Sequence, residues 1–443
     1  MSELITADWV VPVDGKPIRD GGVVVAEGRI SAVAPYAELT ADRVSRYERA
    51  IVLPGFVNAH SHIEYASFAG FGDGLEFGPW IAVHMQRKGR VGPAELLASA
   101  RLGAAQCLAS GITTTMDASF AGVAASACAE LGLRSIVCLE VFGADPAGAQ
   151  QRFDELRAPF DGRAEPTDHQ GTALVELGVS PHAPYSAGLD VYRWARELEL
   201  PIATHLAESA HEREFMLSGA GPIEQVAAMC DVDSPSTTSV RHLANAGLLG
   251  TGLNAAHCVT VDADEIELLA ATGTSVAHCP RSNAQLGCGI APLAELIENG
   301  VCIGIGTDSP ASAPDFDMFA ELRATIAGAR ARDGAATALQ ARDALELATL
   351  GSARAIGLED EVGSLTPGKY ADLTVVSLAD SPYDPIEEPE TAAVYGGSPH
   401  RILRTITSGA TRYEQGEFEW HELREAARAA RARMLEVNVI AAT

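Results

Sequence analysis

Positive charge is the scarcest resource of this chain. Lysine occurs three times, at Lys16, Lys88 and Lys369, and all lysines and arginines number 32 against 59 aspartates and glutamates, a net charge of -27. Such a chain repels polyphosphate and anionic lipid, which excludes nucleic-acid polymers and membrane surfaces as partners. The acidic residues are spread along the sequence, so they read as a solvated surface. Long apolar runs are also missing: no stretch reaches the roughly 18 residues that a membrane helix needs. The start, "MSELITADWVVPVDG", lacks the basic and apolar regions of a signal peptide. The eight cysteines, Cys107 to Cys302, include no C-x-x-C pair and sit mostly in apolar runs such as "SIVCLE". That suits free buried thiols in a reducing compartment, and a cytoplasmic protein is expected.

What is present is an ordinary globular balance, 47% apolar and 21% charged over 443 residues. The length allows two or three average domains, or one large α/β barrel with an appendage. The first fifty residues read as short strands broken at Asp14-Gly15 and Glu27-Gly28. The same texture returns in "GSLTPGKYADLTVVSL" and "RILRTITSGATRYEQGEFE", so the two ends of the chain are expected to pair in one small sheet domain. "HELREAARAARARMLEVNVI" reads as a closing helix.

The middle alternates apolar runs with helix-like stretches. Seven runs, "ITTTMDAS", "RSIVCLEVFG", "ALVELGVSPHAPYS", "LPIATHLAES", "GLNAAHCV", "TSVAHCPRSN" and "VCIGIGTDS", join the strand before His60 to make eight. Eight strands alternating with helices predict a closed parallel (β/α)8 barrel. Residues 217–250, longer than a simple crossover, read as an extra helical loop and a candidate lid.

In such barrels, polar residues at the C-terminal strand ends face the active-site mouth. Here those ends carry His60, His62, His182, His205, His257, His278 and Asp308, six of the twelve histidines among them. In "PGFVNAHSHIEY", His60 and His62 stand two apart, which on a strand puts both imidazoles on one face. A lone His-x-His is a weak signal. Six histidines and a carboxylate converging on one rim predict a divalent-metal site with room left for water.

This set resembles the amidohydrolase superfamily, in its mononuclear deaminase branch, through "PGFVNAHSH", "HLAE", "AHC", "HCPRSN", "GTDS" and "PGKYADL". The resemblance implies a TIM barrel over 54–358 and a small β-sandwich built from 1–53 and 359–443, the latter including the closing helix. It implies one divalent ion per chain, zinc before iron or manganese, held by His60, His62, His205 and Asp308. Glu208 would shuttle protons, His257 would hold and polarise the attacking water, Asp308 would accept the water's proton, and His278 would shape the pocket. Binuclear members generally bridge two metals with a barrel lysine, and no lysine lies between the second and eighth strands here. A homo-oligomer, dimer or tetramer, is also expected.

Members of this branch deaminate heteroaromatic amidines, so a small heteroaromatic substrate is implied. Trp80 in "FGPWIAVHMQRK" and His182 in "SPHAPYS" match the branch's purine-contacting positions, and stacking plus edge hydrogen bonding suits such a ring. Methylthioadenosine/S-adenosylhomocysteine deaminases place a ribose-binding glutamate nine residues after that tryptophan, where this chain has Gly89 between Lys88 and Arg90. "HSHIEY", Phe77 to Trp80 and "EVFGADP" look instead like the aminodeoxyfutalosine deaminases, which act on an adenine nucleoside carrying a benzoate on its 5′ side. Guanine, pterin and methylthioadenosine/S-adenosylhomocysteine deaminases, triazine hydrolases and metal-free scaffold proteins are the other classes considered.

Overall fold

The computed structural model describes residues 1–160 and 173–435. The amino-terminal segment forms β1 (Ser2–Val10), β2 (Ile18–Ala26), β3 (Arg29–Pro35) and β4 (Arg43–Pro54). β2 and β3 are antiparallel, and the turn between them is Glu27-Gly28, with φ of 52° and 76°. Two consecutive positive φ angles are the geometry a tight hairpin needs, which is why glycine takes the second place.

Gly55 alone separates β4 from the first barrel strand. The barrel strands are β5 (Phe56–Ser61), β6 (Ile112–Ser119), β7 (Arg134–Val141), β8 (Val175–Pro181), β9 (Ile202–Leu206), β10 (Leu253–His257), β11 (Ser275–His278) and β12 (Ile303–Ile305). They pair in sequence order as one eight-stranded parallel sheet. Every residue of β5, β6 and β7 is buried, as expected of strands covered on both faces.

The seam between β12 and β5 is where the regular pattern gives way. The run expected as the eighth strand contributes only three ladder residues before "GTDS". Gly306 passes so close to β5 that a Cβ there would lie 2.9 Å from the Cβ of His60. Side chains then complete the closure: Asn58 Nδ2 donates to Thr307 Oγ1 at 2.7 Å, and Thr307 N–H donates to Asn58 Oδ1 at 3.0 Å. The Asp308 N–H donates to the His60 carbonyl at 3.1 Å. The barrel therefore closes through the residues that carry its candidate site.

The carboxy-terminal strands β13 (Leu373–Ser377), β14 (Ile402–Thr407) and β15 (Ala410–Glu414) return to the first sheet. Its order is β15-β14-β13-β4-β1-β2-β3, so the two ends of the chain share one seven-stranded mixed sheet, joined where β13 runs antiparallel to β4. This sheet buries its own apolar cluster, including Ile5, Val23, Val52 and Val375. Beneath the barrel, Arg134 at the start of β7 binds Asp372 (Nε to Oδ2, 3.0 Å) and Ser408 (2.7 Å), all buried.

The closing helix, His421–Leu435, docks on the barrel. Arg431 donates to the carbonyls of Ser67 and Ala69, each at 2.8 Å, just beyond the turn that follows His62. The long segment after β9 is helical, with helices Ala210–Ser218, Glu224–Met229 and Ser239–Asn245. Its Phe215, Met216, Ile223 and Val226 join Phe77, Trp80 and Tyr185 in one apolar cluster. Among the described residues, no helix is long and apolar enough to cross a membrane.

Candidate metal centre

His62, His205 and His257 at the barrel mouth are each tied down through one ring nitrogen and open at the other. The Nδ1 of His62 lies 2.7 Å from the Ala118 carbonyl, and the Nδ1 of His205 lies 2.8 Å from the His182 carbonyl. A carbonyl only accepts, so in both rings Nδ1 carries the proton and Nε2 carries a lone pair. Those two Nε2 atoms face each other at 3.1 Å. Two lone pairs at that distance repel unless a cation lies between them. The Nε2 atoms of His60 and His257 are buried with no hydrogen-bond partner, and His257 Nδ1 rests against Asn283 Oδ1 at 2.9 Å.

Asp308 completes the cluster. Its Oδ2 accepts from the hydroxyls of Ser282 (2.6 Å) and Ser312 (2.8 Å). Its Oδ1 is left facing the histidines, 3.8 Å from His60 Nε2 and 3.7 Å from His62 Nε2. A tetrahedral ion with bonds of about 2.05 Å needs donor atoms about 3.3 Å apart, close to these separations. The residues fit a divalent metal: the Nε2 atoms of His60 and His257 are buried and orphaned, and His62, His205 and His257 are held by hydrogen bonds at Nδ1. His60, His62, Asp308 and, in overlapping groups, His205, His257, Glu140 and Glu208 bring donor atoms within 4.8 Å of one another.

Burial sets the protonation states. Desolvation, reinforced by His62, His205 and His257, holds His60 well below the ordinary histidine range, and similar causes bring His205 down to about 3. Neutral imidazoles are the form that binds metal. Against its own desolvation, Asp308 is held below the usual carboxylate range, by His257 and His62 to the extent that those rings carry charge and by the Ser282 hydroxyl. Glu208 goes the other way: burial, then Asp308 and Glu212, raise it well above the ordinary value. Its Oε1 is 3.7 Å from His257 Nε2. The two acids are thus pushed in opposite directions within one site, the kind of separation that acid and base roles use.

The backbone is strained where it presents these groups. His257 and Asp308 have φ of 78° and 56°, a region non-glycine residues rarely adopt and which recurs at functional sites.

Trp80 and His182, singled out in the sequence, line the same cavity, with Phe77, Ile81 and Tyr185. Trp80 donates from Nε1 to the Ala311 carbonyl at 2.9 Å and stacks on His84 with ring centroids 5.1 Å apart. His182 anchors its Nδ1 on Ser186 Oγ at 2.7 Å while its carbonyl orients His205. His278 is buried at the end of β11, outside this cavity, on a separate one with Arg281 and Asn283. Burial and His257 lower it to about 4.

Sequence reasoning missed Tyr65, His84, Lys88 and Glu140, which also line the cavity. Helical spacing could have found His84 and Lys88, four and eight residues after Trp80. Glu140 stands in the predicted strand "RSIVCLEVFG", near the rim that supplied the histidines. Tyr65 lies in a buried turn, Ile63–Phe68, and its signal was the last position of "HSHIEY".

The profile of the amidohydrolase family matches residues 51–412. The chain belongs to that family, and it is a hydrolase whose buried histidine-rich centre is built to hold a metal. It is 32% identical over 428 residues to a 5-methylthioadenosine/S-adenosylhomocysteine deaminase of Symbiobacterium thermophilum, covering 93% of each chain. It is 30% identical to a 5'-deoxyadenosine deaminase of Methanothermobacter thermautotrophicus, covering 94% of each. Among solved structures it is similar to an adenosine deaminase from Xanthomonas campestris with bound zinc, at TM-score 0.84 and 30% identity, covering 98% of this chain and 99% of that one.

Proposed function

We propose that this chain is a metal-dependent deaminase of 6-aminopurine nucleosides, with aminodeoxyfutalosine as its substrate. The observation that carries the reaction class is the convergence of inward-facing, unpartnered imidazole nitrogens with Asp308 and the raised carboxyl of Glu208. The nucleoside is supported by the three relatives compared above, each named as a deaminase of an adenine nucleoside. The finer substrate rests on "HSHIEY", Phe77 to Trp80 and "EVFGADP", and on Gly89, which is exposed at the end of its helix and offers no carboxylate to a ribose.

His60, His62, His205 and Asp308 would hold one divalent ion, zinc in this reading. Such an ion lowers the pKa of water towards 7 and makes hydroxide available at neutral pH. Trp80 and His182 hold the purine, the indole by contact with the ring face and the imidazole at its edge. His257 orients the attacking water, and Asp308 takes the proton that the water loses. Glu208 protonates the ring nitrogen beside the carbon under attack; the proton held by Asp308 then goes to the amino group, and the hydroxyl proton of the adduct returns to Glu208. The C–O bond forms, the C–N bond breaks, and ammonia leaves from a 6-oxo product.

The relatives' names favour a second reading, in which methylthioadenosine or S-adenosylhomocysteine is the substrate. Ammonia release separates the two. Aminodeoxyfutalosine is expected to exceed both competitors in kcat/KM by at least about tenfold, roughly 1.4 kcal/mol of differential transition-state binding. A preference for methylthioadenosine would establish the second reading. Turnover of guanine, a pterin or a triazine with every adenine nucleoside inert would overturn both.

A further inference from the structure

The helix Phe77–Lys88 sends one stripe of side chains into the cavity. Trp80, His84 and Lys88 stand on successive turns of the same face, and all three line the site. The stripe has a direction. At one end, Trp80 is bonded to Ala311, three residues beyond Asp308. Lys88 lies about 12 Å further along the helix axis at 1.5 Å per residue. There its ammonium sits 4.1 Å from the ring centre of Phe120 and 5.5 Å from that of Phe142, the residues that follow β6 and β7.

Lys88 is the one lysine or arginine that lines the cavity, its ammonium disfavoured by burial and supported by Glu140 and Glu64; the lining acids are Glu140, Glu208 and Asp308. Among the described residues its ammonium makes no ion pair within 4.0 Å, and its close partners are the two rings. A second cation shares those rings. The guanidinium of Arg152 lies 4.8 Å from Phe120 and 5.3 Å from Phe142. Arg152, however, is committed to backbone, donating to the carbonyls of Glu140 at 2.8 Å and Phe120 at 2.7 Å. Lys88 makes no comparable hydrogen bond; the buried acids Glu140 and Glu64 act on its charge only from beyond ion-pair distance.

A cavity end of this kind has a ligand chemistry. Two phenyl rings offer contact to an apolar or aromatic arm, and a free ammonium beside them calls for an anion at that arm's end. A neutral arm would cover the ammonium without pairing it, which costs binding. Glu140 brings a carboxylate oxygen within 4.8 Å of ring nitrogens of His62 and His205, closer to the reacting end, and its Oε2 is buried without a hydrogen-bond partner.

We propose that Lys88 is the specificity-determining residue of this site and that it reads a carboxylate on the 5′ side of the nucleoside. The proposal rests on the nucleoside-deaminase reading above.

The test compares the wild-type holoenzyme with Lys88→Met and Lys88→Arg on three adenine nucleosides: one carrying a benzoate arm on its 5′ side, its methyl ester, and 5′-deoxyadenosine. The acid is expected to exceed the ester in kcat/KM by about 30-fold in the wild type, a factor typical of one charge-assisted hydrogen bond. In Lys88→Met that ratio should fall to near one, chiefly through KM for the acid, and Lys88→Arg should keep most of it. An unchanged ratio in Lys88→Met, with all three nucleosides turning over, overturns the role of Lys88 and leaves the deaminase reading standing. S-adenosylhomocysteine is a fourth arm: a Lys88-dependent preference for it supports carboxylate reading and assigns the carboxylate to an amino acid. If no nucleoside releases ammonia, the deaminase reading falls, and calorimetric binding of acid and ester still decides. Equal wild-type affinities would then overturn the role of Lys88, and tighter binding of the acid that is lost in Lys88→Met would support it.

Discussion

The backbone N–H of Glu208 donates to a carboxylate oxygen of Glu212 at 2.7 Å, while the N–H of Ala207 donates to the other oxygen at 3.0 Å. Glu212 is fully buried and also accepts from the Ser239 hydroxyl. One carboxylate therefore fixes the loop between β9 and the following helix, the loop that carries the proposed proton shuttle.

Glu212 is a positioning residue, and its removal should lower kcat more than it changes KM. Glu212→Ala is expected to lose roughly 10- to 100-fold in kcat, since small displacements of a reacting group are costly. Metal content should stay at the wild-type level, and Glu212→Gln, which keeps an acceptor oxygen, should recover part of the loss. A lower melting temperature with unchanged kcat would show a structural role alone.

The facing Nε2 atoms of His62 and His205 predict that metal and activity rise and fall together. Elemental analysis of protein purified without added metal should give a ratio near one ion per chain. Chelation should abolish turnover and lower the melting temperature, and zinc should restore both. A ratio near two would overturn the mononuclear reading, which follows from a barrel whose strands carry no lysine.

Proton transfer and metal binding should separate by mutation. Glu208→Gln is expected to keep the metal and lose several orders of magnitude in kcat, because the amide cannot pass a proton. His205→Ala should lose metal and activity together. Near-normal turnover in Glu208→Gln would remove it from the shuttle role.

Arg134 and Asp372 form a buried ion pair between β7 and the mixed sheet. Arg134→Met leaves the carboxylate buried without its partner and should destabilise the fold by about 3–5 kcal/mol. Urea unfolding followed by circular dichroism measures this. Activity per folded molecule should remain, since the pair lies at the N-terminal end of its strand, opposite the metal centre.

Glu3 predicts how the mixed sheet responds to acid. Against partial desolvation, Arg404, Ser45 and Arg43 bring its carboxyl from 4.5 down to about 2. A depressed folded-state value means stabilisation that is full above the unfolded value and is lost as pH falls towards 2. Glu3→Gln should lower the melting temperature at pH 7, and the difference from wild type should shrink steadily between about pH 4.5 and 2. A difference independent of pH would mean the contribution is not ionic.

The fold was legible because its signals are local. Apolar runs such as "ITTTMDAS" and "RSIVCLEV" bury a strand on both faces, and a strand that must exclude water from both sides has few other sequences open to it. The rim histidines were legible for the same reason: they sit at run ends, and strand direction places all run ends at one mouth. Glu27-Gly28 announced its hairpin through backbone sterics alone.

Tertiary structure decided the rest. Which ring nitrogen of His62 faces inward depends on the Ala118 carbonyl, 56 residues away, and that of His205 on the carbonyl of His182. The left-handed backbone of His257 and Asp308 is held by the seam and by packing, and no dipeptide preference announces it. Lys88 reads in sequence as one more surface cation near a helix end. It becomes a cavity residue only because β6 and β7 bring Phe120 and Phe142 beneath it. The sequence by itself determined the barrel, the shared terminal sheet and the ring of histidines, because burial period and strand direction are written residue by residue. The protonation, orientation and neighbours of those groups were decided by contacts between distant strands, because an imidazole's lone pair and a buried charge take their character from whatever the fold packs against them.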